Sequence, residues 1–328
     1  MKHADILFLN QSDIRSIITP RDAFDAVEYA FRMHAQKRVQ MPAKIYLDYT
    51  GYKGDLRAMP AYIMPLGASG VKIVNSHANN YKFGLPSVMA IFVLIDPETG
   101  RPISIMDATY FTDMRTGAAG AVAAKYLSKK NASVLGLVGA GKQAAAQLAA
   151  ISRIRKIKFV KVCAKTTKEA QTFADRMKKI TGIPVQPCEI QDVCDADIIS
   201  TTTPSRKPVV KDAWIKPGTH INAIGADAPG KQELETSILR RARVFFDDFN
   251  QAAHSGEINV GISTSWITIN NIQGELGEVL IGRKKGRISD KDITIFDSTG
   301  LAVQDVSIAF RIYTRALKMH KGKKIILF

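Results

Sequence analysis

Gly139, Gly141 and Ala144 are spaced as G-x-G-x-x-A inside the run Val134-Leu135-Gly136-Leu137-Val138-Gly139-Ala140-Gly141-Lys142-Gln143-Ala144. That spacing suits backbone chemistry toward a pyrophosphate. The first glycine permits a tight turn, the second lets the backbone approach the phosphates, and the small third residue lets a helix pack close to its strand. The helix N-terminus offers free N–H groups and a partial positive charge. The apolar run before the turn reads as a strand and the small residues after it as a helix, which is the context a dinucleotide site needs. The next strand ends in Val162-Cys163-Ala164-Lys165-Thr166-Thr167-Lys168, with no Asp or Glu. A carboxylate there would bond a ribose 2′-hydroxyl, whereas a lysine and hydroxyls attract a 2′-phosphate. NADP(H) is therefore expected over NAD(H), unless Lys165 and Lys168 are ordinary solvated residues and both cofactors are tolerated.

A second group of residues could handle a small carboxylate. Lys44 opens a strand after Met41-Pro42, Arg57 precedes Ala58-Met59-Pro60, Lys72 interrupts the apolar Gly70-Val71-Lys72-Ile73-Val74, and Arg115 begins Arg115-Thr116-Gly117. Arginine gives bidentate contact to a carboxylate and lysine a point charge. Spacing alone leaves the plainer alternative open, because a lysine in a strand normally points to solvent. Asp227, in Ile224-Gly225-Ala226-Asp227-Ala228-Pro229-Gly230, follows a strand and would face a ligand at the sheet edge, or else cap the turn. His77 reads as structural. No His/Cys spacing has a metal signature, so no metal is expected.

The net charge is +16, from 46 Lys+Arg against 30 Asp+Glu. The basic clusters, at 153–158, 283–287 and 321–324, are short and not interleaved with aromatics that could stack bases. Nucleic acid is not expected as a partner, and anionic small molecules with solvated lysines account for the charge. No apolar run approaches the roughly 18 residues of a membrane span, and Met1 to Asp5 has no signal pattern. The expectation is a cytoplasmic protein without a membrane partner. Cys163, Cys188 and Cys194 make no C-x-x-C pair and no disulfide framework.

These residues need elements to position them. Periodicity over 13–38 predicts one amphipathic helix. Strands are predicted around Ile45–Tyr49, 71–74, 88–95 and 103–107, the last two forming a hairpin over Asp96-Pro97-Glu98-Thr99-Gly100. A helix plus a mostly antiparallel sheet results. An alanine-rich linking helix is predicted over 116–129. Beyond it strand and helix alternate: strands 134–138, 157–163, 198–200, 221–224, 244–246 and 293–296, with helices 142–151 and 167–180. Thr166 and Glu169 are spaced as a capping box. Such alternation implies a parallel sheet covered on both faces. A last helix spans 301–319.

Together, these motifs resemble the ornithine cyclodeaminase/mu-crystallin family over nearly the whole chain. The motifs are Arg57-Ala58-Met59-Pro60, Gly70 to Asn75, Gly84-Leu85-Pro86, Asp107 to Ala118, Gly139 to Ala144, Gly225 to Leu234 and Phe296-Asp297-Ser298-Thr299-Gly300. The resemblance implies an α/β fold: a Rossmann dinucleotide-binding domain (119–298) inserted in an α+β substrate-binding and dimerisation domain (1–118), with a C-terminal helix (299–328) returning to the first. It implies a homodimer that acts on an imine beside a carboxylate. Lys72 matches the family lysine beside the reacting carbon, Arg115 the arginine that holds the substrate carboxylate, and Asp227 the aspartate that acts as base. Asp297 falls in the FDS-x-G motif and is grouped with Lys44 and Arg57 as a substrate contact. Expected cofactor contacts are Thr116, Gly139, Ala140, Gly141, Lys142, Gln143, Ala164, Lys165, Thr166, Thr202 and Ala226.

Two departures from the usual family pattern favour an alanine-dehydrogenase-like member. Lys44 replaces the arginine common after the early proline, and the turn reads Gly-Ala-Asp-Ala-Pro-Gly rather than Gly-Gly-Asp-Cys-Pro-Gly. The expected reaction is reversible oxidative deamination of a small L-amino acid, L-alanine first, to its 2-oxo acid and ammonia. Alternatives are an NADPH-dependent reductase of ketimines or pyrroline-2-carboxylate, an ornithine cyclodeaminase, and a non-catalytic NADPH-binding protein.

Overall fold

The computed structural model describes residues 5–327, the side chain of Asn270 excepted. The chain divides into two compact units, Met1–Arg115 with Leu301–Phe328, and Thr116–Gly300. The first unit opens with β1 (Asp5–Leu9), α1 (Gln11–Ile17) and α2 (Pro20–Ala35). The single helix expected over 13–38 is thus two. Thr19 caps α2: its hydroxyl accepts from the Asp22 N–H (3.2 Å) while the Asp22 carboxylate accepts from the Thr19 N–H (3.1 Å), with Pro20 at the first position. Proline has no N–H to continue a preceding turn, so the chain must restart there.

Strands β2 (Val39–Gln40), β3 (Ile45–Tyr49), β4 (Gly54–Ile63), β5 (Ala68–His77), β6 (Val88–Ile95) and β7 (Pro102–Asp107) follow. The sequence pattern does not predict β4, because Gly54 and Pro60 read as breakers. Pro60 is accommodated because it falls between the part of β4 paired with β3 and the part paired with β2. Helix α3 (Thr109–Leu127) starts well before the expected Thr116, where the Asp107 carboxylate accepts from the Tyr110 N–H (3.2 Å).

The second unit alternates β8 (Val134–Val138), α4 (Lys142–Ile151), β9 (Phe159–Cys163), α5 (Thr167–Thr181), β10 (Val185–Pro187), α6 (Ile190–Cys194) and β11 (Ile198–Thr201). It continues through β12 (His220–Ala223), α7 (Thr236–Arg241), β13 (Arg243–Phe246), α8 (Phe249–Ser255), α9 (Asn259–Ser263), β14 (Ile272–Glu275), α10 (Leu276–Leu280) and β15 (Thr294–Asp297). The sheet order is β10-β9-β8-β11-β12-β15-β13-β14, with every pair parallel. Strand order reverses between β8 and β11, the place where doubly wound sheets open a crevice for a ligand.

Helix α11 (Ala302–Lys318) and β16 (Lys323–Ile326) complete the first unit. The first sheet runs β16-β1-β7-β6-β5-β4, with β2 and β3 both on β4, and β1–β7 is its parallel pair. Helix α11 packs on α2, β4 and β5. The strand β16, absent from the sequence expectation, pairs antiparallel with β1.

Glycines 117 and 120 let α3 and α4 approach. A Cβ at Gly117 would lie 2.5 Å from the Ala146 carbonyl oxygen, and one at Gly120 would overlap the Gln147 amide. Gln147 is buried and donates Nε2–H to the Thr116 carbonyl at 3.0 Å. Gly117→Ala gains about 1 kcal/mol of helix propensity but costs about 1–3 kcal/mol by overpacking against backbone that cannot swing aside. A calorimetric Tm several degrees below wild type is expected; an unchanged or higher Tm would mean the helices do not need this approach.

Candidate functional site

Lys72 sits on β5 with Met59 of β4 and Phe92 of β6 as its register neighbours. Its side chain is 1% exposed, so of the two readings that spacing leaves open the solvent-facing one does not hold. Its counter-charge is Asp305, in the first turn of α11. Lys72 Nζ lies 2.8 Å from Asp305 Oδ2 as a buried ion pair. Arg115 Nε donates to Asp305 Oδ1 at 3.2 Å, and Arg115 Nη1 to Gln304 Oε1 at 3.4 Å. All four side chains are buried. Burial, then the charge of Arg115, pulls the Lys72 ammonium down to about 7; Asp305 opposes the fall and Lys44 adds to it.

The structure therefore brings Lys72 and Arg115 together, with Lys44 near enough to act on Lys72. Arg57 lies on β4 and is held by Asp55 through two contacts of 3.1 and 3.0 Å, with its guanidinium 5.6 Å from the Tyr46 ring centroid. Sequence reasoning missed Gln304 and Asp305. A signal existed: a polar pair, Gln304-Asp305, between Val303 and Val306 on the buried face of an amphipathic helix.

In the second unit, the expected cofactor residues other than Thr116 follow the carboxyl ends of neighbouring parallel strands. Gly139 has φ +104°, and a Cβ there would meet Thr202 Oγ1 at 2.8 Å. The turn is pinned to its neighbours: Gly139 N–H donates to the Cys163 carbonyl (3.0 Å) and Thr202 N–H to the Val138 carbonyl (2.9 Å). A Cβ on Gly141 would meet nothing within 4 Å, so the open side of this turn is free for a phosphate. Gly141 caps α4, Ala144 is fully buried beneath it, and Ala140, Lys142 and Gln143 complete the turn. Ala164, Lys165 and Thr166 follow β9; Lys165 and Thr166 are exposed, and the Thr166 hydroxyl accepts from the Glu169 N–H (3.2 Å). Ala226 is buried in the turn after β12, while Asp227 is half-buried and paired with Lys231 at 2.5 Å. Thr116 is buried on α3. Burial pushes the Cys163 and Cys194 thiols up to about 11 and about 12, so neither is a ready nucleophile.

Four buried carboxylates hold the loops at this sheet edge. Glu233 accepts from the Thr203 N–H (2.6 Å), the Gly225 N–H (2.9 Å) and the Thr201 hydroxyl (2.6 Å). Glu257 accepts from the Glu233 and Leu234 N–H groups. Asp247 accepts from the Thr299 and Gly300 N–H groups (2.7 and 2.6 Å). Asp297 accepts from the Glu257 and Ile258 N–H groups at 2.9 and 3.1 Å and is 0% exposed. This corrects its grouping with the substrate contacts, since its oxygens are committed to backbone inside the second unit. Among the described residues, no group of His, Cys, Asp and Glu is arranged to hold a metal, and no helix is long and apolar enough to cross a membrane.

Residues 4–320 match the Ornithine cyclodeaminase/mu-crystallin family. Alanine dehydrogenase of Archaeoglobus fulgidus is 50% identical over 325 residues, 99% of each chain. An archaeal alanine dehydrogenase dimer with bound NAD superposes with a TM-score of 0.95 at 50% identity, covering 99% of this chain and 100% of that one. Thermococcus litoralis Delta(1)-pyrroline-2-carboxylate reductase, in complex with NADH and L-proline, gives a TM-score of 0.95 at 35% identity, covering 98% and 100%. The chain belongs to the ornithine cyclodeaminase/mu-crystallin family.

The Asp297 carboxyl is pushed up to about 8 from an ordinary 3.8, chiefly by burial and further by Asp247. With the folded-state value raised, the native state binds more protons over that interval. The stability it contributes is full below 3.8 and is lost as pH rises to about 8. Asp297→Asn removes that titration. The Tm advantage of wild type over the variant should shrink between about pH 4 and about pH 8; a constant difference across that range would show that burial does not raise the Asp297 carboxyl.

Proposed function

We propose that this chain is a nicotinamide-dependent oxidoreductase that interconverts a small L-amino acid, L-alanine first, and its 2-oxo acid plus ammonia. The observation that carries this reading is the buried meeting of Lys72 and Arg115 on Asp305, in a chain 50% identical to an alanine dehydrogenase. The first unit is the substrate-binding and dimerisation domain and the second the cofactor domain. Arg115 holds the substrate carboxylate and sets the α-carbon in place. Lys72, its ammonium pulled down to about 7 by burial and Arg115, polarises the imine and can carry a proton at Nζ. Asp227, paired with Lys231 at 2.5 Å, activates the water that adds to the imine carbon. In balance, amino acid, oxidised cofactor and water give oxo acid, ammonium, reduced cofactor and a proton.

The turn Gly139 to Gln143 fits a pyrophosphate, because a side chain on either glycine would strain the turn or fill its open side. The bound nicotinamide would supply or accept the hydride. Ala164, Lys165 and Thr166 would flank the adenosine ribose, with Thr116, Thr202 and Ala226 nearby in the same unit. The exposed Lys165 and the absence of a carboxylate at that strand end support NADP(H) over NAD(H). A homodimer is supported by the outer face of the first sheet, where Ile45, Ala58, Ile73 and Ile91 stand in one register row and Ile45 and Ile91 are 59% and 48% exposed. Reduction of a cyclic imine is the second reading, favoured by the likeness to the L-proline-bound reductase.

Oxidation of NADPH and NADH with pyruvate, with and without ammonium, tests the reaction. Ammonium-dependent turnover is expected, with Lys72→Ala and Asp227→Ala each lowering kcat/KM about 100-fold or more. Unchanged turnover in both variants would remove the catalytic assignment, and turnover of pyrroline-2-carboxylate alone would establish the second reading. For cofactor choice, Lys165→Asp should weaken NADPH about tenfold or more and NADH far less. Equal losses would sink the 2′-phosphate reading.

A further inference from the structure

Asp305 is the acidic member of an otherwise cationic buried centre. Its two oxygens serve different partners, Oδ2 facing Lys72 at 2.8 Å and Oδ1 accepting from Arg115 Nε at 3.2 Å. Those partners stand on β5 and α3. Gln304 braces the same guanidinium: its Oε1 accepts from Arg115 Nη1 (3.4 Å) and from the Leu301 N–H (3.5 Å). Two donors facing one oxygen favour this amide orientation. Gln304 Nε2 is left as a buried donor without a protein partner. A buried donor costs free energy unless an acceptor meets it. The centre is thus built with more donors and positive charge than its single carboxylate satisfies, which suits a carboxylate ligand.

We propose that Asp305 is a positioning residue for the reaction proposed above: its two oxygens fix the separation of Lys72 and Arg115, and its charge keeps Lys72 able to hold a proton. This inference rests on that functional reading for the identity of the reaction, but not for the geometry. The charged groups acting on Lys72 are Arg115 from α3, Asp305 from α11 and Lys44 from the approach to β3; its register neighbours on β4 and β6, Met59 and Phe92, do not titrate. Of the three charges, Asp305 alone favours the ammonium. Removing it leaves two adjacent buried cations, and because arginine does not release its proton, Lys72 must.

The test uses the full chain labelled with ¹³Cε-lysine, the Lys72 resonance being assigned with Lys72→Arg. In wild type that resonance should titrate near 7. In Asp305→Asn its midpoint should fall by about one pH unit or more. In the same variant kcat should fall about tenfold, with the Lys72 limb of the pH profile moving to lower pH. Asp305→Glu keeps the charge but moves the oxygens by a methylene. It should hold the midpoint near wild type yet lose kcat, and it serves equally if the asparagine variant does not fold. An unmoved Lys72 midpoint in Asp305→Asn, with Tm and kcat falling together, would overturn the proposal. If wild type turns over no oxo acid or cyclic imine while the midpoint still falls, the positioning role stands and the functional reading fails.

Discussion

A single buried carboxylate, Asp305, sets the terms for the first unit. Lys72 and Arg115 cannot be buried together without a counter-charge, because desolvation of an unpaired charge costs several kcal/mol. The carboxylate that meets this need lies 190 residues from Arg115 in the chain. Helix α11 must therefore return to the face of β4 and β5, and the whole second unit is accommodated between Arg115 and Leu301. Inserting a domain there is tolerable because the cost of closing a long excursion grows only logarithmically with length, and the inserted unit has its own parallel sheet and core.

The second unit meets a related constraint in the opposite sense. Turns at the carboxyl edge of a parallel sheet expose backbone N–H groups that no strand satisfies. Here Glu233, Glu257, Asp247 and Asp297 take them up from within, each carboxylate accepting two or more. Burial raises the Glu233, Glu257 and Asp297 carboxyls, neighbouring carboxylates add to the rise at Glu257 and Asp297, and backbone N–H donors pull each of them back. The result is a stiff rim that carries Thr202, Gly225 and Asp227 while leaving the side of the rim near Gly141 open. Stiffness matters because a ligand held by backbone amides gains nothing from amides that must first be ordered.

Much of the second unit was legible in the sequence because its signals are local. The strand 134–138, the glycine turn and helix 142–151 lie within one short window, and the structure has them at those residues. Asp227 and Lys165 could be placed at strand ends for the same reason. Asp297 could not: an acid after a strand looks alike whether it faces a ligand or caps a buried loop, and only the distant Glu257 and Ile258 N–H groups decide between them. Asp305 was missed for the mirror-image reason. Its partners are remote in sequence, so its own helix reads simply as amphipathic.

Lys72 is the most instructive case. On β5 the large apolar residues Val71 and Ile73 alternate with Gly70 and Lys72, so a period-two reading turns the lysine outward. The structure does the reverse: Ala68, Gly70 and Lys72 face α11, and Val71 and Ile73 face away. The reading fails because it assumes that one face of an antiparallel sheet is polar. Here the outward row from Ile45 through Ala58 and Ile73 to Ile91 is apolar as well. A strand that is apolar outward and holds a charged group inward needs a cover on its outer face, which a second copy supplies in the proposed homodimer. Under that arrangement adjacent residues of β5 serve two interfaces at once, Lys72 the cationic centre and Ile73 the partner. The register of this one strand then fixes both, since a slip of a single residue would exchange their faces.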